Sequence, residues 1–147
     1  MVFQLRVMKN TPLTGEDDYE KVAIEFLQLI GYMSENANKH AISYRLFKCF
    51  LLHPDKYWLV DELAIQLDAT KATVYRHLNK LKGMDMLEDG KEGEGVSVCK
   101  TYRLRYSNLS KAWSFVEAHV KVAMENYGET VTHLQKLVQR RVLDGRD

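Results

Sequence analysis

Residues Val60 to Leu81 read VDELAIQLDATKATVYRHLNKL, and the fold turns on this stretch. Leu63 and Leu67 share one face of a first short helix, while Val74, Leu78 and Leu81 share one face of a second. The two faces can therefore enclose a common core. Ala64 stands where the helices cross, and its small side chain permits close approach. Asp68 occupies the tight turn between them, where a left-handed backbone is required and Asp tolerates it better than a branched residue. Thr70 is placed to cap the second helix over Lys71 to Lys82, and Gly83 to end it in left-handed geometry.

Upstream, Tyr57 to Val60 is a short β-prone run, with Asp61 as the expected cap of the helix that follows it. The spacing predicts an earlier helix from about Asn38 to His53, with Ile42, Leu46 and Phe50 on its buried face and Pro54 limiting its continuation. Before it, Tyr19, Val22, Ala23, Phe26, Ile30 and Met33 recur at helical steps behind a cap from Asp17 or Asp18. Residues 1–8 alternate in polarity as a short strand would, and Thr11 to Asp18 reads as a loop. Downstream, two strands are expected over Met84 to Asp89 and Val96 to Arg105, joined by a turn from Gly90 to Gly95. From about Asn108 to Val142 the pattern is one long helix. Trp113, Val116, Val120, Ala123, Tyr127, Val131, Leu134 and Val138 form a heptad-like seam along it, with one slip near Gly128.

The chain has 147 residues, enough for one domain with a real core and an appended helix. Its net charge of +1 does not by itself announce a nucleic-acid partner, so the distribution of charge carries the argument. Charged residues interrupt every hydrophobic stretch, which excludes a membrane span of ~20 residues. The N-terminus lacks the apolar core of a signal peptide, so a cytoplasmic location is expected. Cys49 and Cys99 lie far apart and read as buried thiols rather than a disulfide or a metal pair. There is no phosphate loop, nucleophile elbow, HExxH or CxxC, and an enzyme or a cofactor is not expected.

The Val60 to Leu81 stretch resembles the helix-turn-helix of winged-helix regulators, especially the ArsR-type family. In that family the pattern runs roughly L-A-x-x-L-G-x-S-x-x-T-V-x-R-H-L. Leu63, Ala64, Leu67, Thr70, Thr73, Val74, Arg76, His77 and Leu78 match it, with Asp68 in place of Gly and Thr70 in place of Ser. The resemblance covers about residues 38–105 in element order. It implies a mainly α fold with a small β-hairpin wing (α+β), a winged helix-turn-helix with a long C-terminal dimerisation helix. The segments expected are an N-terminal extension over 1–15, a DNA-binding domain over 16–106 and a helical dimerisation segment over 107–147.

No acidic residue occurs from Thr70 through Lys82. With Val74 and Leu78 turned inward, Thr70, Lys71, Ala72, Tyr75, Arg76 and Asn79 face outward. The resemblance places the N-terminal part of this helix in the major groove, so Lys71, Ala72, Tyr75 and Arg76 are candidates for base edges. Thr73 and Lys80, with Lys100, Arg103 and Arg105 on the returning strand, are candidates for phosphates. His77 reads as a hydrogen-bonded packing residue. The wing is less suited to DNA: Asp85, Glu88, Asp89, Glu92 and Glu94 surround a single Lys91, whereas the minor groove favours Arg and Lys.

These residues point to a regulator that binds double-stranded DNA as a homodimer through the C-terminal seam. One alternative is a winged-helix interaction module in a transcription or replication assembly. Another is a metal-responsive ArsR-type repressor, for which Glu117, His119, Glu129 and His133 are a loose echo of a family metal site. The motif helix carries no cysteine pair, the echo falls about a dozen residues late, and Cys49 with His53 supplies only two ligands, so no metal is expected.

Overall fold

A computed structural model describes residues 3–93, 95 and 98–145. In order they form α1 (Tyr19–Leu29), α2 (Ile42–Leu52), β1 (Trp58–Leu59), α3 (Val60–Leu67), α4 (Lys71–Lys82), β2 (Leu87–Glu92), β3 (Cys99–Leu104) and α5 (Leu109–Leu143). The strands make one three-stranded antiparallel sheet in the order β1-β3-β2. This is a winged helix-turn-helix: mainly α, with a small β wing and a long C-terminal helix. Two compact units divide the chain, Met1–Trp113 and Ser114–Asp147.

The core of the first unit joins the helix-turn-helix to α2. Leu63 of α3, Val74, Leu78 and Leu81 of α4, and Leu46 and Phe50 of α2 are all at 0% exposure. Burial of each such side chain stabilises the fold by about 1.5–3 kcal/mol. Asp68 holds the turn between α3 and α4 in the left-handed region at φ 50°, ψ 52°. Thr70 then caps α4 by accepting the Thr73 amide at 3.2 Å.

Several boundaries differ from the sequence expectation, each for a local reason. Among the described residues, no strand forms over 3–8. The segment instead docks by single backbone bonds, Gln4 N–H to the Gly83 carbonyl at 3.0 Å and Arg6 N–H to that of Ile30 at 2.9 Å. Helix α2 begins at Ile42 rather than Asn38, because the Asn38 side chain accepts the His40 amide at 2.9 Å and holds a turn there. Asp61 does not cap α3. Pairing of β1 with β3 keeps Leu59 extended, and Glu62 accepts the Leu59 amide at 3.0 Å while Asp61 falls in the first turn. Gly83 is right-handed at φ −61°, and the left-handed residue is Asp85 at φ 61°. What Gly83 provides is room: an added Cβ would lie 3.0 Å from Gln4 Oε1 and 3.3 Å from the Lys80 carbonyl. Cys99 is an exposed thiol, not a buried one; Cys49 is half-buried.

Strand β2 starts later than expected, at Leu87, because the chain after α4 continues in turns through Met84 and Asp85. As a result Gly90 lies inside β2, opposite Thr101, and not in the turn. A Cβ there would sit 2.6 Å from Thr101 Oγ1 and 2.7 Å from the Tyr57 ring. Gly90→Ala is expected to destabilise the protein by about 1–3 kcal/mol through overpacking, read as a lower denaturation midpoint with unchanged slope. An unchanged midpoint would mean that Tyr57 does not pack there. Glu94, Val96 and Ser97 of the expected turn and second strand lie outside the described residues.

Helix α5 runs unbroken through Gly128 from Leu109 to Leu143, 35 residues. Its start is capped by Asn108, which accepts the Lys111 amide at 2.9 Å. Of the expected seam, two residues are already engaged or hidden in the single chain. Trp113 meets Phe26 edge-on with ring centroids 5.4 Å apart, and Val116 is fully buried. Val120 and Ala123 are half-buried. Tyr127, Val131, Leu134 and Val138 stand 66%, 63%, 58% and 48% exposed.

Candidate nucleic-acid interface

Helix α4 separates its apolar and polar faces sharply, because Val74, Leu78 and Leu81 fix its rotation against the core. Lys71, Ala72, Arg76, Asn79 and Lys80 are exposed, and the phenol of Tyr75 is 45% exposed. Among the described residues Arg76 has no ion pair and no hydrogen bond, so its five N–H donors are available to a ligand. A planar guanidinium in that state matches the paired acceptors of a guanine edge or a phosphate.

Other residues expected at this face are partly committed elsewhere. Thr70 caps α4 and donates its hydroxyl to Thr73 Oγ1 at 3.0 Å, which leaves the Thr73 hydroxyl as the outward donor. Lys71 pairs with Asp61 at 2.7 Å across the turn. Both partners are more than 60% exposed, a surface pair that water and salt weaken and a phosphate can replace. The Lys80 ammonium lies 5.9 Å from the Tyr32 ring centroid and remains exposed. His77 is half-buried with no hydrogen-bond partner among the described residues, so its expected packing role holds without the expected bond. Burial first, then the charges of Arg76 and Lys80, hold its imidazole below the ordinary histidine range and therefore neutral at pH 7.

The returning strand changes the list of phosphate candidates. Arg103 is not an available cation: its Nε donates to Glu88 Oε1 at 2.6 Å, and its guanidinium lies 4.4 Å over the Tyr57 ring. Arg105 is held likewise, by Asp85 at 2.8 Å and the Leu87 carbonyl at 3.2 Å. These pairs also neutralise two of the acidic residues beside the wing. Lys100 remains exposed and stands directly across the hairpin from Lys91. Like charges opposite each other in a sheet repel, and an anion between them relieves that repulsion.

Two features of this face were hidden from the sequence. The Asp61–Lys71 pair ties the first turns of α3 and α4 together, and Lys82 lies 5.0 Å over the Tyr102 ring, joining the end of α4 to the sheet. The first depends on how α3 and α4 cross, the second on where the returning strand β3 lies against the end of α4.

On α5, Glu117 pairs with Lys121 at 3.1 Å and His119 Nδ1 lies 2.8 Å from the Phe115 carbonyl. Among the described residues no three His, Cys, Asp or Glu side chains gather as a metal site, and no helix is long and apolar enough to cross a membrane.

No protein-family model matches the chain, and no curated protein matches it. Solved structures similar to it include a possible transcriptional regulator from Methanosarcina mazei Go1, at 20% identity over 62% of this chain and 75% of that one, with TM-score 0.44. The adhesin competence repressor AdcR from Streptococcus pyogenes is similar at 18% identity over 88% and 92%, with TM-score 0.40. ZitR from Lactococcus lactis, a zinc-responsive MarR family member, is similar at 17% identity over 86% and 94%, with TM-score 0.39.

Proposed function

We propose that the protein is a sequence-specific regulator of transcription that binds duplex DNA as a homodimer, with α4 in the major groove. The observation that carries this reading is the outer face of α4: exposed Lys71, Tyr75, Arg76, Asn79 and Lys80, no carboxylate between Thr70 and Lys82, and an Arg76 without a protein partner among the described residues. In this fold the second helix of the motif reads base edges from its N-terminal part. Lys71, Ala72, Tyr75 and Arg76 lie on that part. Thr73, Lys80 and Lys100 hold phosphates and so set the register. The ArsR-type character rests on the motif residues from Leu63 to Leu78 alone.

The homodimer accounts for the apolar residues left exposed on α5. A two-fold dimer carries two copies of α4, and its target is then an inverted repeat.

The test is selection of a binding site from genomic fragments, followed by affinity measurements with Arg76→Ala on that site and on random duplex. Loss of a bidentate base contact is expected to cost about 1–3 kcal/mol on the selected site and less on random DNA. Equal affinities of the two proteins for both duplexes would remove Arg76 from the reading. A wild type with no salt-dependent binding at all would favour an interaction module instead.

A further inference from the structure

A cavity of about 490 Å³ opens in the first unit, away from the outer face of α4. That volume falls in the range of small-molecule sites, about 300–1,000 Å³. Four parts of the chain build it: the first turn of α1, the loop before α2, the outer face of α2, and the end of α3 with the neighbouring β1.

Its walls are amphipathic. Leu67 and Trp58 line it at 3% and 6% exposure, and Leu52 adds further apolar surface. The indole N–H of Trp58 is buried without a hydrogen-bond acceptor among the described residues. Lys39, Arg45 and Lys48 supply three cations against a single carboxylate, Glu20. Glu20 is bound to Lys48 at 3.4 Å, so Lys39 and Arg45 are left with no ion-pair partner among the described residues. The Cys49 thiol adds no negative charge, because burial raises its pKa. An apolar wall beside two uncompensated cations is complementary to one kind of molecule.

We infer that this cavity binds a small organic anion, a carboxylate carried on a flat apolar body, with Arg45 and Lys39 on the carboxylate and Trp58, Leu52 and Leu67 against the body. Arg45 offers the fork geometry that a carboxylate matches, and Lys39 a second charge. Gln66 and Leu67 end α3 immediately before the left-handed Asp68, so an occupant touches the element that leads into α4.

The test uses the full chain with Trp113→Phe, which leaves Trp58 as its one tryptophan. The probes are 2-naphthoate, its neutral amide 2-naphthamide, and inorganic phosphate. Naphthoate is expected to change Trp58 fluorescence saturably, with the amide and phosphate each weaker by about tenfold or more. Arg45→Gln and Lys39→Gln, both on the rim, are each expected to weaken naphthoate by about tenfold, with unchanged thermal melting. Amide NMR shifts of Gln66 and Leu67 should move with the same midpoint. The inference is overturned if naphthoate gives no saturable change at millimolar concentration, if the amide or phosphate binds as well, or if both rim variants bind naphthoate like wild type.

Discussion

Placing glutamate at Tyr127, Val131 and Leu134 together is expected to turn a dimer into a monomer at micromolar concentration. The three side chains are 66%, 63% and 58% exposed in the single chain, and they lie on one face of an unbroken helix. Soluble monomers rarely leave so long an apolar stripe in water. Full burial of such a side chain is worth about 1.5–3 kcal/mol, and a two-fold interface contains each of them twice. Their replacement by charges therefore removes more stabilisation than a typical dimer possesses, and the dissociation constant should rise by at least about a thousandfold. Val122 provides the control. It is 56% exposed, but at 100° per residue it lies on the side of α5 opposite to Val120 and Val138. Val122→Glu should leave the dimer intact. Sedimentation of the three proteins, with helix content followed by circular dichroism, decides the matter. A wild-type monomer, or a triple variant that still dimerises, would show that the seam is not the interface.

What could be read in the sequence was what depends on neighbours within about one helical turn. Asp68 in its turn, Thr70 as a cap and the inward row of Val74, Leu78 and Leu81 are set by local spacing, and all three hold. So does the continuous α5, which runs through Gly128 despite a propensity cost of ~1 kcal/mol there. The errors share a different origin. Gly90 is closed over by Tyr57 and Thr101 from elsewhere in the chain, and the Gly83 carbonyl accepts the Gln4 amide of the N-terminal segment. Arg103 looked like a phosphate ligand because Glu88, its partner across the hairpin, is 15 positions away. Asp61 reads as a cap in the sequence because the pairing of β1 with β3, which keeps Leu59 extended, is not a local property. The cavity between α2 and α3 was invisible for the same reason, since no single segment carries it.

Lys80→Gln with Lys100→Gln is expected to weaken binding to selected and random duplex alike, and to flatten its salt dependence. Both ammonium groups are exposed. Lys80 follows by one turn the part of α4 proposed to read bases, and Lys100 lies on the wing hairpin opposite Lys91. Such positions neutralise phosphates rather than read bases. Each phosphate neutralised contributes about −0.9 to the slope of log K against log salt. A dimer loses four of these contacts in the double variant, so the slope should become shallower by about 3–4. At low salt the affinity itself should fall by about a hundredfold or more. Arg76→Ala acts differently: it lowers the ratio of selected to random binding and leaves most of the slope in place. The two substitutions thus separate positioning from reading on the same surface. If the double variant keeps the wild-type slope, the phosphates are held by other residues. If it alters the selected site alone, Lys80 or Lys100 reads bases, and the placement of α4 in the groove must be rotated accordingly.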